Sequence, residues 1–276
     1  MTLMVASDLD QTLIYSPGAA ARGPGRESRV VEVLDGKVIS LLSTETERGL
    51  QELGRSAVFV PVTTRTRAQY ERLDLPPRPR YAVVASGGGI LVDGEPDLDW
   101  AASVAARLDG ASSPVAALQE VFAGYRDREW LLRVRDADDV FLVAAVDADL
   151  LSSDELAHVS SACDGHGWRA LHQGRKLYVL PYGLDKAAAV AHVAERVGDE
   201  DDSSAVVLAA GDTLLDWPML CAAERAWVPA GSELDRLGRS APNVTITREA
   251  GLAAGEQIVA AWLEHAAGRT PPRPSV

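Results

Sequence analysis

Short, nearly continuous apolar runs alternate along the chain with longer segments whose apolar residues recur at helical spacing. Three such runs are LMVA at residues 3–6, VFVPV at 58–62 and VVLAA at 206–210. Strands that are apolar on both faces are typical of a parallel sheet covered by helices on both sides. The pattern predicts an α/β fold with a Rossmann-like, doubly wound parallel sheet, whose functional groups gather at the carboxyl ends of the strands.

This alternation is interrupted after about residue 95. Two Ala-rich helical segments, two pairs of hairpin-like strands and a helix near residues 153–163 follow. The order predicts an inserted α+β unit. We expect a first core segment at 1–95, the insert at 96–182, a second core segment at 183–268 and a disordered tail at 269–276.

Two local signals set the expectation for the segment before the second apolar run. Asp35 and Gly36 separate two β-branched runs, which is typical of a hairpin turn, and we expect this hairpin to form a flap. The next segment predicts a helix that begins with a capping box at Thr44 and Glu47 and ends at Gly54.

The charge balance narrows the possible partners. The 276 residues, 47% of them hydrophobic, include 27 Lys and Arg against 40 Asp and Glu, which gives a net charge of -13. This is the wrong sign for a general nucleic-acid binder or for a protein that binds anionic membranes, so an anionic substrate needs a local cation or a metal. No apolar run approaches the roughly 18 residues of a membrane span, and we expect a cytoplasmic protein.

Polar side chains cluster at the ends of predicted elements in the core segments. The clusters are Asp8, Asp10 and Thr12, then Thr63, then Lys186, and last Asp212 and Asp216. If the strands are neighbours, four carboxylates, a hydroxyl and an ammonium meet in one cleft. Four carboxylates repel one another unless a cation neutralises them, and oxygen ligands without Cys or His favour Mg²⁺. Because Mg²⁺ keeps coordination positions for other ligands, a phosphoryl group is the expected substrate moiety.

These residue types also suggest a reaction. A carboxylate that attacks a phosphoryl group forms an aspartyl-phosphate, and Asp8 is the better placed for the attack. Asp10 is then the group that protonates the leaving oxygen and later deprotonates the hydrolytic water. Thr63 and Lys186 are expected to hold the oxygens of the transferring phosphoryl group.

The four clusters, in this order, resemble the motifs of the haloacid dehalogenase (HAD) superfamily of phosphohydrolases. The first motif, DxDx[TV], matches Asp8, Asp10 and Thr12; the second and third match Thr63 and Lys186; the fourth, GDxxxD, matches residues 211–216. The insert between the second and third motifs resembles the C2 cap of the Cof-like and sucrose-phosphatase-like branches, whose members commonly hydrolyse sugar phosphates and similar small esters.

The resemblance implies roles for the acidic residues. Asp8 is the implied nucleophile and metal ligand, and Asp10 is the implied acid/base, with its backbone carbonyl on the metal. Asp212 is an implied metal ligand, backed by Asp216, which either binds the metal directly or supports the ligands. The implied metal is Mg²⁺.

The chain departs from the common forms of these motifs at four points. Relatives often have Gly where this chain has Gln11, TGR where it has residues 63–65, NG where it has Ser86 and Gly87, and ND where it has residues 215–216. None of these changes removes a catalytic group. Gln11 adjoins the flap segment, so we expect it to shape access to the site.

Basic residues of the insert are candidates for substrate contacts. Arg133 and Arg135 share one face of a predicted strand, since alternate residues do. Arg175 lies in a second hairpin, with Arg169, His172 and Lys176 nearby. Outside the insert, Arg65 either contacts substrate or pairs with an acidic neighbour. The substrate candidates are Arg65, Arg133, Arg135 and Arg175.

The sequence thus predicts a Mg²⁺-dependent phosphatase of a small phosphorylated metabolite, such as a sugar phosphate, that works through an aspartyl-phosphate on Asp8. Two alternatives stay open. One is a phosphomutase or other phosphotransferase that uses the same aspartate, and the other is a metal-binding sensor or scaffold without catalytic activity.

Overall fold

The computed structural model describes residues 1–269, which form a central parallel sheet and three smaller antiparallel sheets. The strands are β1 Thr2–Ser7, β2 Ile14–Tyr15, β3 Ser28–Leu34, β4 Lys37–Ser43, β5 Val58–Pro61, β6 Tyr81–Val84, β7 Gly89–Val92, β8 Glu95–Pro96, β9 Leu131–Ala137, β10 Phe141–Val146, β11 Trp168–Gln173, β12 Lys176–Pro181, β13 Ala205–Ala210, β14 Arg225–Val228 and β15 Val244–Ile246. The helices are α1 Pro17–Ala20, α2 Thr44–Leu53, α3 Arg67–Tyr70, α4 Leu98–Leu108, α5 Val115–Ala123, α6 Ser153–Asp164, α7 Lys186–Glu200, α8 Trp217–Ala222, α9 Glu233–Arg236 and α10 Leu252–Arg269.

The central sheet has the strand order β15-β14-β13-β1-β5, and every neighbouring pair in it is parallel. Alternate residues of β1 lie in two different cores. Leu3 and Val5 pack in the cluster that contains Trp262 of α10, whereas Met4 and Ala6 pack in the cluster that contains Val193 of α7. The sheet is therefore covered on both faces, and the predicted doubly wound α/β fold is confirmed.

The strands after β5 turn away from this parallel arrangement. β6, β7 and β8 form an antiparallel sheet of their own. A single parallel bridge between Val62 and Val83 links it to the edge of the central sheet.

The two hairpin-like pairs of the middle segment form one antiparallel sheet with the order β11-β12-β10-β9. The helices α5 and α6 pack against it, and the buried side chains of Phe141 and Trp168 lie in the shared core. The α+β character predicted for this segment is therefore present, while the exact boundaries at residues 96 and 182 stay a prediction.

The flap hairpin consists of β3 and β4, with β2 pairing on the other side of β4. Asp35 and Gly36 form its turn with φ of 50° and 73°, as a two-residue type I′ turn requires. The predicted capping box of α2 is wrong by one residue. Because β4 extends to Ser43, that serine keeps extended backbone and its hydroxyl accepts the N–H of Thr46. Gly54 ends the helix as predicted.

No helix within residues 1–269 combines the length and the apolar character needed to cross a bilayer. Of the tail predicted at 269–276, only Arg269, the last residue of α10, lies inside the described residues.

Candidate active site

The carboxyl ends of three neighbouring strands meet at one edge of the central sheet. Asp8 follows β1, Asp212 follows β13, and Thr63 follows β5, each within two residues of the strand end. The strand order puts β1 between β13 and β5. In addition, the N–H of Asp8 donates to the carbonyl of Ala210 over 2.9 Å, which ties the ends of β1 and β13 together. The sheet thus brings together three of the four polar clusters.

Lys186 reaches this edge from the first position of α7. Its side chain is 1% exposed, and its Nζ donates to Asp8 Oδ1 over 2.6 Å and to Asp216 Oδ1 over 2.5 Å. Burial by itself would lower the pKa of Lys186, but the carboxylates of Asp216 and Asp8 more than offset this and raise the pKa. The side chain is therefore held as an ammonium between two carboxylates.

The turn after β6 fixes the position at which α7 begins. Residues 85–87 all have positive φ, and that of Gly87 is 96°. A Cβ at Gly87 would lie 2.3 Å from the carbonyl oxygen of Asp185, the residue that caps α7. Since only glycine permits this approach, the turn packs directly against the residue before Lys186.

Asp216 organises the loop that carries Asp212. Its Oδ2 accepts the N–H of Asp212 over 3.2 Å and the N–H and hydroxyl of Thr213 over 3.0 and 2.9 Å. A Cβ at Gly211 would lie 2.4 Å from the Cβ of Asp216, so the loop can close only with glycine there. The GDxxxD spacing thus folds the loop around the second aspartate.

Asp8, Asp212 and Asp216 are buried and each offers one carboxylate oxygen, and these oxygens lie within 4.8 Å of one another. Burial, together with the Asp8 and Asp216 charges, raises the pKa of Asp212 well above its usual value, and burial raises the pKa of Asp8 to about 7. One ammonium, that of Lys186, lies among three carboxylates. Crowded oxygen donors without Cys or His fit a divalent cation such as Mg²⁺.

Asp10 lines the same cleft as Asp8, but its carboxylate is not one of these three and is bound by an arginine. Arg65 holds its carboxylate with two hydrogen bonds, from Nε to Oδ2 over 2.7 Å and from Nη2 to Oδ1 over 2.8 Å. The third guanidinium nitrogen, Nη1, donates to Glu32 Oε2 over 2.7 Å. The sequence left open whether Arg65 contacts substrate or pairs with an acidic neighbour, and the structure shows the pairing.

The two threonines after β5 differ in their surroundings. Thr63 is fully buried, and its Oγ1 accepts the N–H of Arg65 over 3.1 Å. Because that bond uses an oxygen lone pair, the hydroxyl hydrogen of Thr63 remains available to donate. Thr64 lines the cleft that contains Asp8.

This cleft has a volume of about 710 Å³ and extends from Asp8 to the hairpin between β11 and β12. Of the substrate candidates in the insert, Arg175 lines it. Arg135 lines an adjoining cavity of about 310 Å³ together with Asp10 and Arg65. Arg133 lines neither of them, but a groove between α5 and β9. The structure therefore brings two of the three insert arginines to the site.

Several residues of the cleft wall were not predicted from the sequence. They are Arg22, Gln173, Glu233 and Arg236, and the network around Asp10 adds Glu32. Glu32 carries the only sequence signal among them, as a carboxylate inside the apolar run VVEVL.

Gln11, which stands where relatives often have glycine, has a φ of 64°. Its N–H donates to the carbonyl of Ile14 over 2.8 Å, which closes a tight loop after Asp10. Left-handed backbone explains why glycine suits this position, and Gln11 lines the cleft; its effect on access to the site stays a prediction.

No protein-family model and no curated protein sequence matches the chain. Solved structures do match. A sucrose-phosphatase from Synechocystis, in complex with sucrose and phosphate, has a TM-score of 0.63 and 14% identity, over 95% of this chain and 97% of that chain. A trehalose-6-phosphate phosphatase from Aspergillus fumigatus has a TM-score of 0.51 and 13% identity, over 95% and 93%.

A phosphatase of the HAD superfamily from Bacteroides thetaiotaomicron is also similar, with a TM-score of 0.53 and 15% identity, over 97% and 96% of the two chains. At these identities the likeness concerns the fold. The chain therefore has the fold of HAD-superfamily phosphatases along nearly its whole length, which confirms the fold implied by the resemblance of its motifs.

Proposed function

We propose that the protein is a Mg²⁺-dependent phosphatase that hydrolyses a small phosphorylated metabolite through an aspartyl-phosphate on Asp8. One observation carries the proposal above the others. Asp8 lies in a buried cluster with a lysine ammonium and two further carboxylates, on a fold whose solved examples include phosphatases.

In the first half of the reaction Asp8 is the nucleophile. Lys186 occupies Oδ1 of its carboxylate, and Oδ2 accepts no hydrogen bond from residues 1–269. The free oxygen attacks phosphorus, the bond from phosphorus to the leaving oxygen breaks, and Asp10 gives that oxygen a proton. The Lys186 ammonium and the hydroxyl of Thr63 stabilise the negative charge on the transferring group.

In the second half a water molecule attacks the phosphorus of the aspartyl-phosphate. Asp10 takes the proton of this water, and the bond between phosphorus and Asp8 breaks, which restores the carboxylate and releases inorganic phosphate. The same side chain thus serves as acid and then as base.

The proposed ligands of Mg²⁺ are the carboxylates of Asp8 and Asp212 and the backbone carbonyl of Asp10, and Asp216 lies beside them as a further candidate. When bound, the cation neutralises the crowded carboxylates and polarises the phosphoryl group. Asp216 already accepts four hydrogen bonds through its two carboxylate oxygens, which favours a supporting role for it over direct coordination.

For the substrate, we propose a sugar phosphate or a similar small ester. Two of the similar structures are a sucrose-phosphatase and a trehalose-6-phosphate phosphatase. The cleft of about 710 Å³ is lined by polar residues, such as Gln173 and Glu233, whose side chains are able to bind hydroxyl groups. We propose that residues 96–182 act as a cap whose β11-β12 hairpin, through Arg175, contacts the leaving group.

The experiment is a screen for phosphate release across sugar, nucleotide and glycerate phosphates, with Mg²⁺ and after its removal by a chelator. We expect Mg²⁺-dependent release of inorganic phosphate from at least one substrate and its loss in Asp8→Asn, but not in Asp99→Asn, which alters an exposed carboxylate of α4. Isomerisation of a substrate without phosphate release would show that the protein is a mutase and not a hydrolase. Absence of turnover with every compound would favour a metal-binding sensor or scaffold.

A further inference from the structure

Glu32 is a buried carboxylate in the flap, outside every motif described above. The register between β3 and β4 shifts on both sides of it, between Val30 and Glu32 and between Glu32 and Val33. As a result Val31 and Glu32, although consecutive, are both buried. Bulges of this kind redirect a side chain and are common beside active sites. Here the bulge turns Glu32 inward.

The buried carboxylate of Glu32 is fully paired. Its Oε2 accepts Arg65 Nη1 over 2.7 Å and the hydroxyl of Ser40 over 3.0 Å. Its Oε1 accepts Arg72 Nε over 3.2 Å. Only 1% of the Glu32 side chain is exposed, and a carboxylate buried to that degree is stable only with such partners.

The same guanidinium connects the flap to the catalytic cleft. Arg65 uses one nitrogen for Glu32 and the other two for the bidentate contact with Asp10. Arg65 is 10% exposed, whereas Asp10 is 50% exposed. Glu32 and Arg65 therefore form the buried, fixed part of the network, and Asp10 forms its accessible end.

This arrangement matters when Asp10 acts on the substrate. To serve a leaving oxygen, the Asp10 carboxylate has to give up at least part of its contact with Arg65. A buried guanidinium that loses its carboxylate partner strongly destabilises the folded protein. Because Glu32 remains bound to Arg65, the guanidinium keeps a counter-ion while Asp10 turns.

We propose that Glu32 is a positioning residue for the reaction: it anchors Arg65, and through Arg65 it sets the orientation of Asp10 and lets Asp10 leave that contact. The inference rests on the proposed function, since it assigns Asp10 the role of acid and base.

The test compares Glu32→Gln with Glu47→Gln. Glu47 is a matched control, because it also joins the flap to the core through an arginine, accepting Arg29 Nε over 3.1 Å, but its network does not reach Asp10. For each variant kcat/KM is measured with an alkyl phosphate, whose leaving oxygen needs a proton, and with p-nitrophenyl phosphate, whose leaving group departs without one. Thermal unfolding of each variant is recorded in parallel.

We expect Glu32→Gln to lower kcat/KM for the alkyl phosphate by about tenfold or more, as the loss of general acid catalysis does, and to change the value for p-nitrophenyl phosphate much less. Glu47→Gln should change kcat/KM only slightly, and by the same factor for both substrates. The double variant Glu32→Gln/Arg65→Ala should have the same kcat/KM for the alkyl phosphate as Arg65→Ala alone, because both changes act through Asp10.

The inference would be overturned if Glu32→Gln lowered kcat/KM equally for both substrates, or if Glu47→Gln showed the same difference between the substrates as Glu32→Gln. Neither result would contradict the proposed phosphatase activity, as long as the parent protein hydrolyses both substrates. If Glu32→Gln unfolds below the assay temperature, the charge-balanced Glu32→Gln/Arg72→Gln variant is measured instead. The same comparison of kcat/KM for the two substrates then supports or overturns the inference. A parent protein without phosphatase activity would instead contradict the proposed function itself.

Discussion

Nζ of Lys186 lies 2.6 Å from Oδ1 of Asp8, so the proposed nucleophile is held by a buried ammonium. The contact joins the first strand of the sheet to the start of α7, which are 178 residues apart in the chain. It orients the carboxylate and leaves its second oxygen free, which is the geometry that an attacking aspartate needs.

Replacement of Lys186 tests the importance of this ammonium. In Lys186→Met, Asp8 and Asp216 lose their shared partner, and we expect loss of phosphatase activity together with a fall of about 3 kcal/mol in the free energy of unfolding in Mg²⁺-free buffer at pH 8. Chemical denaturation measures the second effect. The exposed Lys37, replaced by Met, is the control. Unchanged stability of Lys186→Met would show that the ammonium does not neutralise the cluster.

Gly87→Ala tests how the turn after β6 sets the position of Lys186. The new Cβ would lie 2.3 Å from the carbonyl of Asp185, so α7 has to shift. We expect a loss of about 2 kcal/mol in the free energy of unfolding and a clear fall in kcat. Gly36→Ala is the matched control, because Gly36 also has positive φ but no atom lies within 4 Å of the place that a methyl group would take there. It should lose stability through backbone strain alone and keep its kcat.

Gln11 permits a test that separates backbone from side chain. Since its φ is 64°, Gln11→Gly should raise the free energy of unfolding by up to about 1 kcal/mol, and Gln11→Ala should not. Both variants remove the side chain from the cleft wall. If Gln11 shapes access to the site, KM changes in the same direction in both, whereas equal KM values in all three proteins would assign it a purely local role.

The pH dependence of Mg²⁺ binding follows from the carboxylate cluster. Burial raises the pKa of Asp8 to about 7 and that of Asp212 well above its usual value, with Asp216, Asp10 and the Lys186 ammonium facing them. Protons and Mg²⁺ therefore compete for the same oxygens. Asp8 loses its proton as pH rises through about 7, so the affinity for Mg²⁺ should increase up to that pH, by about tenfold per pH unit for each proton displaced.

Isothermal titration with Mg²⁺ in buffers of different ionisation enthalpy measures both the affinity and the protons released between pH 6 and 8. An affinity that is constant over this range, with no proton release, would contradict the raised pKa values. Asp216→Asn, which removes one facing charge, should lower the pKa of Asp8 and flatten the dependence.

Much of the site was predictable because it depends on strand ends. Asp8, Thr63 and Asp212 each follow an apolar run, and parallel strands that lie side by side bring their carboxyl ends together. Lys186 was found through its position after the last strand of the insert. These inferences need only the chain order and the sheet type, both of which leave a periodic signal in the sequence.

The rest depends on register and packing, which leave no such signal. Glu32 turns inward because two register shifts surround it, and the sequence showed only a charge within an apolar run. Arg133 and Arg135 are alternate residues of one strand, yet they line different cavities. The N-cap of α2 is Ser43 and not Thr44, because the preceding strand extends to Ser43, one residue beyond its apolar run.

The most direct measurement of the central claim is a search for the phosphorylated intermediate. Asp10→Asn, which lacks the base for the second half-reaction, is mixed with Mg²⁺ and p-nitrophenyl phosphate, whose leaving group departs without a proton, then quenched in acid and digested for mass spectrometry. The account predicts one added phosphoryl group on the peptide that contains Asp8, and none in the Asp8→Asn/Asp10→Asn protein. Mg²⁺-dependent phosphate release that persists in Asp8→Asn, with no phosphoryl group on that peptide, would contradict it.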